Sequence, residues 1–345
     1  MPPCTILPLV KEVKLPALEP SRWVITSYSR LAHAKKIATA PRGGSDEYGL
    51  ALPADTAVDA AQQAATDDIR YRLHGSSRTG DCLHEFFEAL ALDPSSYLGK
   101  DKDYDELLKK YLRKHGLEKP EHAWQWPEAQ AEQENVLAKR RREIARWLDE
   151  VLDQPLLPED AHSCLRNILL SRQTLPEMAF NFSLGSQGPA NIARDINPVL
   201  RDKLGMDGIH VPYKNELEGL MNGSIDLFFL YQDCVYVLDY KSNTLGKTPA
   251  FYSEAHMAQA MRDNRFDLQA HIYSVAAHRY LKQRLPESYD FDQGPVRFGG
   301  VLYLFLRGMG LDHAAYKRHG IYCHRPRQEE VEALDAAFQG AGALP

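Results

Sequence analysis

Between Gly223 and Lys241 two runs rich in Phe, Leu, Val and Tyr flank a single polar pair, Gln232-Asp233, and this stretch constrains the fold more than any other. The simplest reading is a β-hairpin with those two residues at its tip. Gln-Asp is a mediocre turn pair, so a longer loop is the alternative. A two-residue turn puts Asp226 directly opposite Asp239, with Cβ atoms roughly 4.5 to 5.5 Å apart on one face. Lys241, two residues beyond Asp239, points to that face as well. Apart from these three groups both strands are apolar on both faces, which predicts a central, doubly covered position in a sheet. Two carboxylates buried there repel each other and are costly to desolvate. A divalent cation between them removes both objections, and hard oxygen ligands favour magnesium, calcium or manganese over zinc. The structural alternative is a buried ion pair of Asp226 with Lys241, with Asp239 a turn residue.

The rest of the chain supplies helices around such a sheet. In Leu83–Leu90 the apolar residues Leu83, Phe86, Phe87 and Leu90 recur at helical spacing, and polar helical text continues over 104–114 and 132–152. A long amphipathic helix is expected from about Asn264 to Arg284, with Gln269 and Tyr273 four apart and so on one face. Phe298–Leu306 reads as a further buried strand. Residues 1–20 carry five prolines and read as an extended arm or linker, 21–75 as a lead-in with a mobile linker from 40 to 75, and 76–340 as the main domain. Lys139-Arg140-Arg141-Arg142 is expected to lie on a solvated helix face.

Composition narrows the function classes. The 345 residues hold five cysteines with no CxxC pair, so neither a zinc knuckle nor a disulfide framework is expected. There is no run of apolar residues long enough to span a membrane and no GxxxxGK[ST] phosphate loop, which points to a cytoplasmic protein with no membrane partner and no motor of its own. The formal net charge of −6 does not advertise nucleic-acid binding, so such a partner must be engaged locally. Between Asp239 and Leu285 seven basic residues stand against four acids, a strip that includes Arg262 and Arg265.

An acid, a hairpin's distance and then Asp-x-Lys resembles the pattern of the PD-(D/E)xK nucleases. With GSIDL before DYKSN, Gln269-Ala-His-Ile-Tyr273 after it and FGGVLYLFLRG at 298–308, the chain from Trp23 to Phe338 is similar to the C-terminal nuclease domain of the RecB family, helicase-nuclease subunits of bacterial RecBCD complexes. The resemblance implies an α/β fold with a restriction-endonuclease-like core, a central mixed sheet flanked by helices. It implies a magnesium-dependent deoxyribonuclease of the exodeoxyribonuclease V type, acting on single- and double-stranded DNA in double-strand break repair and recombination. RecC and RecD are the implied partner subunits, and RecA the recombinase docked by the domain.

The same resemblance implies site residues. Asp226, Asp239 and Lys241 are the catalytic set. His84, in Gly80-Asp-Cys-Leu-His84, matches the family's G-x-x-x-H and joins Asp226, Asp239 and the Tyr240 carbonyl as a metal ligand. Gln269 and Tyr273 face the DNA and the active site, and Arg262 and Arg265 lie on the basic strip beside them. Glu177 stands where relatives place an acid before a strand, but Ala179 occupies the position of a second acid, and Ile225 replaces the general motif's proline. A nuclease-like module that only binds DNA or protein is the rival reading; such a module is expected to have lost the acidic pair or the lysine, and this chain keeps all three.

Overall fold

The computed structural model describes residues 23–27, 31, 68–100, 103–120, 127–158, 160–185, 190–206, 216–310 and 318–340. The Pro-rich stretch 1–20 and linker residues 40–67 lie outside them. Seven strands build one mixed sheet: β1 (Trp23–Ser27), β2 (Thr174–Leu184), β3 (Ala190–Asn191), β4 (Glu216–Tyr231), β5 (Cys234–Lys241), β6 (Arg297–Phe305) and β7 (Ile321–His324). The described α-helices are α1 (Ile69–Arg72), α2 (Ser77–Leu92), α3 (Pro94–Tyr97), α4 (Asp105–Lys114), α5 (Gln130–Asp153), α6 (Leu165–Leu170), α7 (Glu254–Asp263), α8 (Phe266–Arg284) and α9 (Gln328–Gln339).

β4 and β5 form the hairpin expected from the sequence, in the expected register, from Tyr231 opposite Cys234 to Leu227 opposite Leu238. Gln232 and Asp233 both take left-handed backbone, φ 48° and 59°, as a two-residue turn that follows the sheet's twist requires. A side chain is strained in that conformation and glycine is not. Asp233→Gly is therefore expected to raise stability by roughly 0.5–1 kcal/mol in urea unfolding; a lower midpoint would show that the turn is held by its side chain instead.

β6 pairs parallel to β5 on the side away from β4, so the hairpin's second strand is central, with α7 and α8 in the crossover between them. Each face of the sheet carries its own core. Phe228, Val237, Tyr303 and Phe305 pack with α7, α8 and α9 on one side, and Leu227, Phe229, Leu238, Tyr240 and Leu304 pack with α2, α4 and α5 on the other. The amphipathic helix expected at 264–284 is instead buried almost all round from Phe266 to His278, because it is enclosed between the sheet, α7 and α9. Of the basic run on α5, Arg140 turns inward at 7% exposure and donates to Leu117 O at 3.2 Å, while Lys139 and Arg142 are exposed.

The lead-in contributes to this unit: β1 pairs parallel with β4, and Arg70 on α1 is buried, donating to Met309 O at 2.6 Å and Glu150 at 2.9 Å. The four described cysteines are free, and no helix among the described residues is long and apolar enough to cross a membrane.

Two histidines of the core give the fold a pH dependence. His271 on α8 and half-buried His324 on β7 face each other with ring centroids 4.8 Å apart. Burial holds His271 below its ordinary value and, with the neighbouring His271, pushes His324 down to about 4. Above about pH 6.5 both are neutral folded or unfolded; as the pH falls below that, the unfolded chain takes protons that the folded one refuses. This contribution is thus lost between about pH 6.5 and 4, at a cost on the order of 1–3 kcal/mol. Urea midpoints of the wild type should fall more steeply across that window than those of His324→Phe; parallel slopes would exclude His324 as the cause.

Candidate metal and nuclease site

The site lies where the sheet forks. β2 lines one edge of β4 from Gly219 to Phe229, while the other edge is shared by β1, opposite Glu218–Asn222, and β5, opposite Leu227–Tyr231. Gly223–Asp226 fall between the two partners. Here the strand also changes its facing: Ile225 joins the same core as Phe228, although Leu227, between them, packs on the opposite side. Glu177, on β2 across from this point, is itself left-handed at φ 45°. A Cβ on Gly223 would lie 2.5 Å from the Phe180 ring, so glycine lets that ring close over β4 and meet Tyr273 edge-on at 6.0 Å.

The change of facing decides what the two aspartates do. Asp226 Oδ2 accepts the Tyr240 amide at 2.7 Å and lies 3.3 Å from His84 Nδ1. His84, from the middle of α2, in turn donates Nε2–H to the Tyr240 carbonyl at 2.8 Å. His84, Glu177 and Asp226 each offer a donor atom within 4.8 Å of the others, and this is the one such group of three among the described residues. Glu177 is held by Ser224 Oγ, which donates to its Oε2 at 2.8 Å. Burial pushes Asp226 up, but the His84 ring and the Tyr240 amide outweigh it and hold the carboxyl below the usual range. Burial raises Glu177, assisted by the charges of Asp226 and Glu88 and opposed by Ser224.

Asp239 stands outside this trio. Its Oδ1 is 2.7 Å from Lys241 Nζ, and both side chains are almost completely buried, at 3% and 4% exposure. A closed ring of polar contacts runs on from there: Lys241 Nζ donates to Gln269 Oε1 at 3.3 Å, Gln269 Nε2 to Tyr273 Oη at 3.0 Å, and Tyr273 Oη to Asp239 Oδ2 at 3.4 Å. Gln269 and Tyr273 thus share a helix face, and that face is turned inward onto Asp239 and Lys241. Burial raises Asp239 above the carboxylate range and the Asp226 charge adds to it, against the pull of Lys241. The two aspartates are therefore driven apart in acidity, Asp226 toward the anion and Asp239 toward the acid.

Arg262 is exposed at the end of α7 and donates to Gln259 Oε1 at 2.7 Å, while half-buried Arg265 takes left-handed backbone, φ 59°, between α7 and α8. Four further residues escaped sequence reasoning: Ser224, Phe266, Tyr303 and Arg307. Phe266 carried a usable signal, since it precedes Gln269 by three and so shares its helix face. The other three carried none, because their partners are distant in sequence.

No family model matches the chain. Individual proteins do: it is 33% identical over 198 residues to the RecBCD enzyme subunit RecB of Escherichia coli, covering 57% of this chain and 16% of the relative. It is 38% identical over 195 residues to RecB of Haemophilus influenzae, 56% and 15% of the two chains, and 30% identical over 309 residues to RecB of Mycobacterium tuberculosis, 83% and 26%. This chain is homologous to a segment of RecB. It spans about a quarter or less of the RecB proteins it matches. The RecB kinship and the mixed sheet between two helical layers agree on a PD-(D/E)xK nuclease-like core.

Proposed function

We propose that the chain is the DNA nuclease unit of a RecB-like subunit in double-strand break repair and recombination, hydrolysing phosphodiesters of single- and double-stranded DNA with magnesium. The observation that carries this reading is the convergence of His84, Glu177 and Asp226, from three separate elements, beside the Asp239–Lys241 ring. Two carboxylates and one imidazole within 4.8 Å of one another fit a hard divalent cation, with manganese and calcium as substitutes. His84, Asp226 and the Tyr240 carbonyl would hold it, with Glu177 beside them and Asp239 able to reach in once released from Lys241. The ion supplies a Lewis acid for a phosphate oxygen and lowers the pKa of water.

The protein's own groups do the rest. Lys241 is placed to orient the attacking water or to neutralise charge building on the phosphorane. Gln269 and Tyr273 keep Lys241 and Asp239 in register, the one accepting from the ammonium and the other donating to the carboxyl. Arg262 and Arg265 are assigned to phosphate contacts along the strand entering the site. The nuclease unit is placed at 76–340, with β1 and α1 of the lead-in packed onto it, and RecC, RecD and RecA are the partners this kinship suggests.

Incubation of the purified chain with end-labelled linear single-stranded DNA tests the reading: products are expected with magnesium and none with EDTA. A folded protein inert with both magnesium and manganese would overturn it. His84→Ala is expected to weaken manganese binding at least about tenfold in calorimetry, with a smaller effect on DNA affinity; unchanged manganese affinity would remove His84 from the ligand set.

A further inference from the structure

The Lys241 ammonium lies 4.0 Å from the centroid of the Phe266 ring, closer than its 5.6 Å separation from the Tyr303 ring. Phe266 is 3% exposed and opens α8, directly after left-handed Arg265, so the chain turns sharply to bring this ring down onto β5. Tyr303 fixes it there: the two rings stack at 6.1 Å and 17°, and the Tyr303 hydroxyl lies 3.1 Å from Phe266 O and 3.2 Å from Gln269 Oε1. The same helical turn thus presents a carbonyl-type acceptor, Gln269, and a π-face to one ammonium. A buried cation against an aromatic face is held by the ring quadrupole, most strongly where water is excluded.

We propose that Phe266 is a positioning residue for Lys241, holding the ammonium through its π-face when Asp239 is drawn away from the lysine. The Asp239–Lys241 contact of 2.7 Å cannot persist unchanged if the Asp239 carboxylate turns toward the His84, Glu177 and Asp226 trio. A lysine losing its carboxylate in a buried site would swing toward water or lose its proton. Beside the Gln269 Oε1 acceptor, the ring supplies a further attachment that competes for no hydrogen bond, so Lys241 stays beside the reacting phosphate. The inference rests on the nuclease reading for its consequence, and on the Lys241–Phe266 geometry for its substance.

Phenylalanine at 266 can be replaced by its mono-, di- and trifluoro analogues, which drain the π-face stepwise with little change of shape. Log kcat for single-stranded DNA cleavage is expected to fall in step with fluorination. Phe266→Leu should lose about tenfold or more and Phe266→Tyr should recover most of it, with KM and manganese affinity unchanged within about twofold. A flat fluorination series, or a loss that appears in KM or manganese affinity instead, would overturn the proposal, since simple packing predicts both. If the wild type does not cleave DNA at all, the nuclease reading has failed, and the Lys241 ε-methylene proton shifts decide the inference separately. A ring-current upfield shift present in the wild type and lost in Phe266→Leu supports it, and its absence in the wild type refutes it.

Discussion

Asp239→Asn and Lys241→Met are each expected to reduce magnesium-dependent cleavage on the order of a thousandfold or more, and the double variant to be scarcely worse than either alone. Asp239 and Lys241 are two members of one closed ring with Gln269 and Tyr273, so removing either takes from the other its opposite charge in a buried setting. Residues that act as a unit are non-additive in this way. Asp226→Ala should match them in cleavage and, unlike Lys241→Met, should also weaken manganese binding, since Asp226 belongs to the trio and Lys241 does not. Single-turnover rates for the three single variants and the double variant check this. Losses that multiply in the double variant would mean that Asp239 and Lys241 work independently.

Arg307→Met is expected to cost on the order of 3–5 kcal/mol, the largest stability loss among the single substitutions considered. Arg307 is completely buried, and its guanidinium donates to Ser242 O at 2.7 Å, Arg70 O at 2.6 Å, Leu73 O at 2.5 Å and His74 O at 3.2 Å. Methionine fills much of the volume but takes the guanidinium donor from the buried Ser242, Arg70 and Leu73 carbonyls, while His74 O keeps the Thr79 hydroxyl at 2.7 Å. The first is the residue after Lys241 and the other three lie on the approach to α2, so one side chain ties the exit of β5 to the entry of the helix that carries His84. For a domain of this size the melting temperature should drop by roughly 4–9 °C. A drop of less than about 2 °C would show that water or a rearranged backbone satisfies those carbonyls.

Local sequence carried a large part of this. The apolar runs flanking Gln232-Asp233 specified the hairpin and its register, because one slipped residue would turn both strands' side chains to the wrong faces. Apolar spacing placed α2, and the four-residue step from Gln269 to Tyr273 placed their shared face on α8. Matching the motifs to a known family brought His84 and Glu177 into consideration, and both join Asp226 in the structure. What periodicity misjudged was α8 itself, expected to be amphipathic and found enclosed, since a helix covered on all sides by sheet and helices needs no polar face.

By itself, then, the sequence determined the hairpin, the central place of β4 and β5, and the presence of two acids and a lysine within reach of one another. Those depend on alternation and turn chemistry, which act between near neighbours. Only the tertiary structure decided how the acids are divided. β4 changes its facing beside Asp226, sending that carboxylate to His84 and the Tyr240 amide, while Asp239 turns to Lys241, Gln269 and Tyr273. That division depends on His84, Gln269 and Tyr273, brought in by helices tens of residues away, and alternation along a single strand holds no information about what lies across its edge.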